Sequence, residues 1–458
     1  MIKRTLAILL SLIIVLSASG CSNYIRKAVP IPISNAFYES YQVAVAVDFA
    51  GVKHIARTEC PIGTVSDCIL IYTKVISGNP VDMWSWSSSA SFVGVQDLDI
   101  AVTDDGVAVI TWGSERLADH ESTDLCVLSE NLSNIFELTP YPVISIGQAH
   151  LASKLDTIYA VFPVKEGAFS TLRYTQLTGG SLSGWVSETG TGKNNIVSDL
   201  AVSPSGYLYV TYRRKYGDDI WYFDNHGVTH RFEILSGAFA YTDPSVDVNG
   251  NPETVYMAYA QNIALSPSTK DDALILAHCP ANNCTFSGTF TTELPLDTSV
   301  DWDIDGNVDI IADAGPIPFI TSAVTAYYTF KASNTGLTQY DIYEGIFQIG
   351  QPHLIVNISN TSNEEDEPSI GLMFSWVPVT GWVEGADIFE FDAFPFPPFS
   401  YGALRKIHHA SHPILGYPGW DMACFADWGA GIWHEDDAAH RAFVIFNTYP
   451  AMLPLIKK

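Results

Sequence analysis

Positive charge is scarce in this chain: 23 lysines and arginines stand against 50 aspartates and glutamates, for a net charge of −27. No basic stripe is available to neutralise a phosphate backbone, which excludes nucleic acid as a partner. Helical periodicity is nearly absent too, since no run of a dozen residues places apolar side chains at a 3.6-residue spacing. The chain has no Gly-x-Ser-x-Gly elbow, no phosphate-binding glycine loop and no Cys-x-x-Cys-His haem site, so the reactions built on those motifs are set aside. Charged residues make up only 16% of the chain and hydrophobic ones 47%, a balance that buries a core and excludes an acidic disordered tail. The acidity therefore serves solubility more than steering.

What is present begins at the N-terminus. Lys3 and Arg4 precede an apolar run from Leu6 to Leu16 interrupted only by Ser11, and Ala18-Ser19-Gly20-Cys21 follows. That run is too short to span a bilayer comfortably, and no later segment reaches the length of about 20 apolar residues that a span needs. The order of charge, short apolar run, small residues and cysteine resembles the lipobox of bacterial lipoproteins. The resemblance implies cleavage of residues 1–20, lipid on Cys21, and an exported chain held at the outer face of a membrane of the bacterial cell envelope. An ordinary secretory signal cut after Ala18 or Gly20 is the alternative. Residues 21–37 then form a tether that turns apolar at Ala28–Ile33 and can supply a ring-closing edge strand, and residues 38–458 form one domain.

Six cysteines remain once Cys21 is assigned to lipid. Cys60 and Cys68 flank a seven-residue connection, and Cys279 and Cys284 flank Pro-Ala-Asn-Asn. Both pairs are expected as local disulfides in an exported protein. Cys126 and Cys424 sit in apolar strand-like runs and are expected as buried free thiols.

The domain is organised around a recurring unit. Asp199–Tyr212 reads as a short apolar strand, a Ser-Pro-Ser-Gly turn and a strand rich in aromatic and β-branched residues. Variants turn at Gly51, Gly106, Asp156, Gly206, Gly250 and Gly306, spaced by 44 to 56 residues. A seventh copy is expected from the match of Ile146–Leu151 to Ile349–Leu354, and an eighth from Asp421–Phe425 and Arg441–Thr448. The eighth lacks outer strands, which Met452–Ile456 and the apolar N-terminal stretch can provide. The spacing predicts an all-β fold, a β-propeller of eight blades, each a four-stranded antiparallel meander, with seven blades as the alternative. The pattern resembles the exported propellers grouped with sialidase-like repeats. Ser181–Trp185 departs from their Asp-box turns, and no arginine triad can be assigned, so sialidase activity is not implied.

Three sets of residues are candidates for chemistry. Asp99, Gln148, His150, Asp199, Asp243, Gln351, His353 and Asp421 fall at the start of innermost strands, which in a propeller converge on one mouth of the central channel. They are candidate ligand-binding residues, and capping of strand backbone is the alternative role. Asp301, Asp303, Asp305 and Asp309 carry the alternating oxygen ligands of a calcium loop, but its twelfth position is Ala312 and the flanks read as strands; Ca2+ is a candidate on this partial pattern and no other cofactor is implied. Trp84 and Trp86 can stack on sugars or pack between blades. The expected function is a surface binding or scaffold protein recognising a protein or glycan partner. The alternative is a carbohydrate-active enzyme using channel-mouth carboxylates.

Overall fold

The computed structural model describes most of residues 31–448; outside the description lie 1–30, 449–458 and internal stretches, chiefly 138–143, 263–271, 313–324, 393–402 and 410–419. The described residues form eight antiparallel sheets. Each is a meander that follows chain order, except that the last takes its outermost strand from the N-terminal side; the third is assembled from six strands and each of the others from four. The innermost strands are Tyr38–Val47, Phe92–Val102, His150–Lys154, Asn195–Val202, Ser245–Gly250, Trp302–Ala312, Asp366–Met373 and Trp420–Phe425. Each touches the innermost strand of the next sheet, and the last touches the first. Radial sheets around a closed inner ring make a β-propeller.

The strand Leu208–Arg214 shows why these sequences build it. Leu208, Tyr209, Val210 and Tyr212 are all buried. Leu208 and Val210 pack with Tyr159 and Val161 of the third sheet, while Tyr209 packs with Val246 and Val255 of the fifth. A strand sandwiched between two neighbours needs apolar residues on both faces, so it reads as a continuous run and not as an alternation. Burying one such side chain stabilises by roughly 1.5–3 kcal/mol. The hairpin before it closes through Gly206, at φ +81°, whose N–H reaches the Ser203 carbonyl at 2.8 Å.

Ile31–Pro32 pairs antiparallel with Ala442–Thr448, in the register Ile31↔Val444 and Pro32↔Phe443, and so forms the fourth, outermost strand of the last sheet. Pro32 is tolerated there because an edge strand has a free side. Residues 452–456 and Cys21 lie outside the described residues. Cys60 and Cys68 are bonded, linking the second and third strands of the first sheet. Cys279 and Cys284 are not bonded: both are buried free thiols, with Cys284 Sγ 3.2 Å from the Pro280 carbonyl, because the short 3-10 turn at Ala281–Asn283 packs them into the core as small apolar groups. Cys126 and Cys424 lie on the strands His120–Ser129 and Trp420–Phe425, and their side chains are outside the description.

Three expected features of the repeat are displaced. Gly306 makes no turn, since Trp302–Ala312 is one strand with a bulge between Asp305 and Asp309. In the third sheet the left-handed turn residue is Leu155, at φ +54°, not Asp156. The seventh sheet starts at Asp366, and the stretch before Leu354 leads into the outermost strand of the sixth. Trp84 and Trp86 are packing residues, with ring centroids 6.4 and 5.2 Å from that of the buried Trp112 of the second sheet.

Candidate channel site

An innermost strand has a neighbour on one side only. The backbone groups on its other edge face the channel and need partners. This chain supplies them from carboxylates. Asp99 accepts the Ile100 N–H on one oxygen at 2.7 Å and the Leu151 N–H of the next sheet on the other at 2.8 Å. Asp199 repeats this with Leu200 at 2.7 Å and Val246 at 2.8 Å, and Asp247 with Val248 and Ala312, both at 2.7 Å. Asp309 accepts the Ile370 N–H at 3.0 Å. Gln42 plays the same part between the first and second sheets, taking the Leu98 N–H at 3.0 Å. Five side chains thus clasp one sheet to the next around the channel.

The fourth to sixth sheets draw the acids together. Ser245 Oγ lies 2.6 Å from Asp199 Oδ2 and 3.4 Å from Asp309 Oδ1, and it accepts the Ile310 N–H at 3.2 Å. Burial, with the charge of Asp309 adding to it, pushes Asp199 up to about 7. Burial also pushes Asp309 up to about 6, with Asp247 adding to the rise against the hydrogen bond from Ile370. Burial and like charge thus favour the protonated form of each member of the pair. Chemically it is an acid and a base bridged by a hydroxyl, but both oxygens of Asp199 are already engaged by backbone donors.

The other expected residues are scattered. His150 lies on the innermost strand of the third sheet, and burial brings its imidazole down to about 4, so it is neutral at physiological pH. Asp243 precedes the fifth sheet and pairs with Arg213, Nε to Oδ1 2.6 Å. His353 is not at the channel: it sits beside the outermost strand of the sixth sheet, its Nε2 2.8 Å from Glu293 Oε2 on the outermost strand of the fifth. The match between its surroundings and those of His150 is a resemblance of sequence without a shared position. Gln148 and Gln351 lie outside the described residues; Asp421 is on the innermost strand Trp420–Phe425, its side chain undescribed.

The calcium-loop reading is corrected by placement. Asp303 accepts the Tyr340 hydroxyl, Asp305 lies 3.4 Å from the Lys331 ammonium, Asp309 turns to the channel, and Asp301 is exposed before the strand. An extended strand sends these carboxylates to different partners and they do not converge on one point. Among the described residues no group of three or more His, Cys, Asp or Glu side chains is placed to hold a metal ion.

Sequence reasoning missed Gln42, Ser245 and Asp247 and misread Asp309. A signal was available: Asp-Ile at 99 and 309, Asp-Leu at 199 and Asp-Val at 247 each stand three residues before the end of an innermost strand. A second buried chain, Asp48–His54–Tyr72, joins Asp48 Oδ2 to His54 Nε2 at 3.1 Å and His54 Nδ1 to the Tyr72 hydroxyl at 2.7 Å. His54 is fully buried and Asp48 Oδ1 caps the Val52 N–H at 2.8 Å, so this chain braces a hairpin.

No protein-family profile matches the chain. No curated protein matches it either. Among solved structures it is similar to a protein of unknown function from Dyadobacter fermentans, with a TM-score of 0.43, 11% identity, and coverage of 93% of this chain and 100% of that one. It is also similar to a polysaccharide lyase, with a TM-score of 0.45, 11% identity, and coverage of 82% and 94%. A third likeness is an α-L-arabinanase of Penicillium chrysogenum solved with arabinobiose, with a TM-score of 0.39, 10% identity, and coverage of 67% and 93%.

Proposed function

We propose that this is an exported β-propeller, anchored by lipid on Cys21 at the bacterial cell envelope, that acts as a binding or scaffold module for a protein or glycan partner. The observation that carries the non-enzymatic reading is the use of the channel carboxylates. Asp99, Asp199 and Asp247 each spend one oxygen on their own strand and the other on the next sheet, which makes them braces of the ring. The lipid anchor rests on the order of charge, apolar run and small residues before Cys21. Several acyl chains at roughly 0.8 kcal/mol per buried CH2 hold such a protein firmly.

A second reading, a carbohydrate-active enzyme, is favoured by one feature. Asp199 and Asp309, raised to about 7 and about 6, bracket the Ser245 hydroxyl in the way a general acid and its partner must differ in protonation. A glycan array together with a hydrolysis and lyase screen on the purified mature chain separates the two. Retention of a glycan or protein without turnover supports the binding role. Turnover of any polysaccharide, abolished by Asp309→Asn, replaces it with the enzyme.

A further inference from the structure

A four-stranded meander sends its first-to-second and third-to-fourth turns to one face of the propeller and its remaining connections to the other. With one exception, the large, strongly exposed apolar side chains among the described residues follow that division. Ile76 and Val81, 49% and 46% exposed, flank the third-to-fourth turn of the first sheet. Phe286, 57% exposed, lies in the same connection of the fifth sheet, and Ile349 and Leu354, 43% and 50% exposed, flank that of the sixth. Of the rest, Met83 and Val356 stand on the outermost strands that lead away from these connections, Leu155 in one first-to-second turn, and Leu294 just past the outermost strand of the fifth sheet, where the chain leaves for the opposite face.

Leu155 occupies that first-to-second turn. It is 56% exposed and holds a left-handed φ of +54° where the second and fourth sheets use Gly106 and Gly206. A leucine in this conformation is strained, and folding alone favours glycine there. Its side chain nevertheless points into solvent on the turn face.

The direction of the chain at Ile31 joins this face to the anchor. Ile31–Pro32 runs antiparallel to Ala442–Thr448, the third strand of its sheet, so the chain comes to Ile31 from the turn face. Cys21 is ten residues upstream, a reach of at most about 35 Å. Resting on the reading of Cys21 as the lipidated residue, we propose that the turn face lies against the lipid surface, with Leu155 and the apolar rim of the first, fifth and sixth sheets in contact with it. The opposite face, with its second-to-third connections, is then presented to the partner. Asp104, Asp105 and Asp156 surround Leu155 in its turn and the adjoining one, Asp104 N–H donating to the Leu155 carbonyl at 3.0 Å, and they disfavour a strongly anionic membrane.

The test is photolabelling of the full mature protein in zwitterionic phosphatidylcholine vesicles doped with a phospholipid that carries a carbene precursor near its headgroup. Peptide mass mapping is expected to find label on the segments holding Ile76–Met83, Leu155, Phe286 and Ile349–Val356. The triple variant Phe286→Asp, Ile349→Asp and Leu354→Asp, at three exposed positions, is expected to lose at least five-fold of the labelling in the fifth and sixth sheets. Label confined to the second-to-third connections, such as those ahead of Ile220 and Asp341, or absent from the domain, overturns the orientation. Unchanged labelling in the triple variant overturns the apolar contact. The mass of the N-terminal peptide separates the two levels: an acylated Cys21 with label elsewhere sinks the orientation alone, and an unacylated Cys21 sinks the anchor and the orientation together.

Discussion

Asp199→Asn is the substitution that best exposes what the channel acids do. In the folded chain Asp199 titrates near 7, raised first by burial and then by the Asp309 charge. In the unfolded chain it returns to its ordinary value of 3.8. Between those values the unfolded chain releases a proton that the folded chain keeps, so stability is fully present below about 4 and falls as pH rises through 7. Integrated from pH 5 to pH 8, the loss is about 2–3 kcal/mol, at about 1.4 kcal/mol for each tenfold change in proton concentration over which the two states differ by one proton. Asparagine does not titrate and escapes this loss. It accepts only one of the two N–H groups that Asp199 now holds, from Leu200 and Val246, at a cost of about 1–3 kcal/mol. The variant is therefore expected to be less stable than the wild type at pH 5 and nearly equal to it, or more stable, at pH 8. Urea unfolding of both proteins at the two pH values, followed by tryptophan fluorescence at constant ionic strength, measures this. A stability gap that stays constant with pH, or widens as pH rises, refutes the assignment of Asp199 as the raised carboxyl.

Four further outcomes are expected. A side chain at Gly345 would place its Cβ 2.1 Å from the Tyr328 ring, so Gly345→Ala should lose about 1–3 kcal/mol through overpacking, seen as a fall in the unfolding midpoint; an unchanged midpoint would show that the ring gives way freely. Leu155→Gly should raise stability by roughly 0.5–1 kcal/mol, because relief of the left-handed conformation exceeds the added entropy of the unfolded chain, and a lower midpoint would show that the side chain is a folding contact. Cys68→Ser opens a cross-link of sequence separation 8 and should cost about 2–3 kcal/mol by loop closure, whereas Cys284→Ser should leave non-reducing peptide maps without a lost disulfide.

The repeating plan is legible along the chain because its parts are local. Asp-apolar strand, glycine turn and aromatic strand follow from backbone conformation at residues such as Gly106 and Gly206 and from the need of a sandwiched strand for apolar residues on both faces. The Cys60–Cys68 bond was legible for the same reason, since its partners face each other across one connection. Other features depend on how the sheets come together. Cys279 and Cys284, closer in sequence than the bonded pair, remain thiols, and the 3-10 turn between them sets where they pack. The run from Asp301 to Asp309 looked like a metal loop because alternating aspartates are common to such loops and to a polar strand, and only strand pairing tells them apart. His353 left the channel once its strand proved to be the outermost. Asp199 and Asp309 are 110 positions apart, and no local pattern relates them. Closure of the ring brings them to the one hydroxyl of Ser245, where burial first, and then the charge of Asp309 on Asp199 and of Asp247 on Asp309, raise both carboxyls.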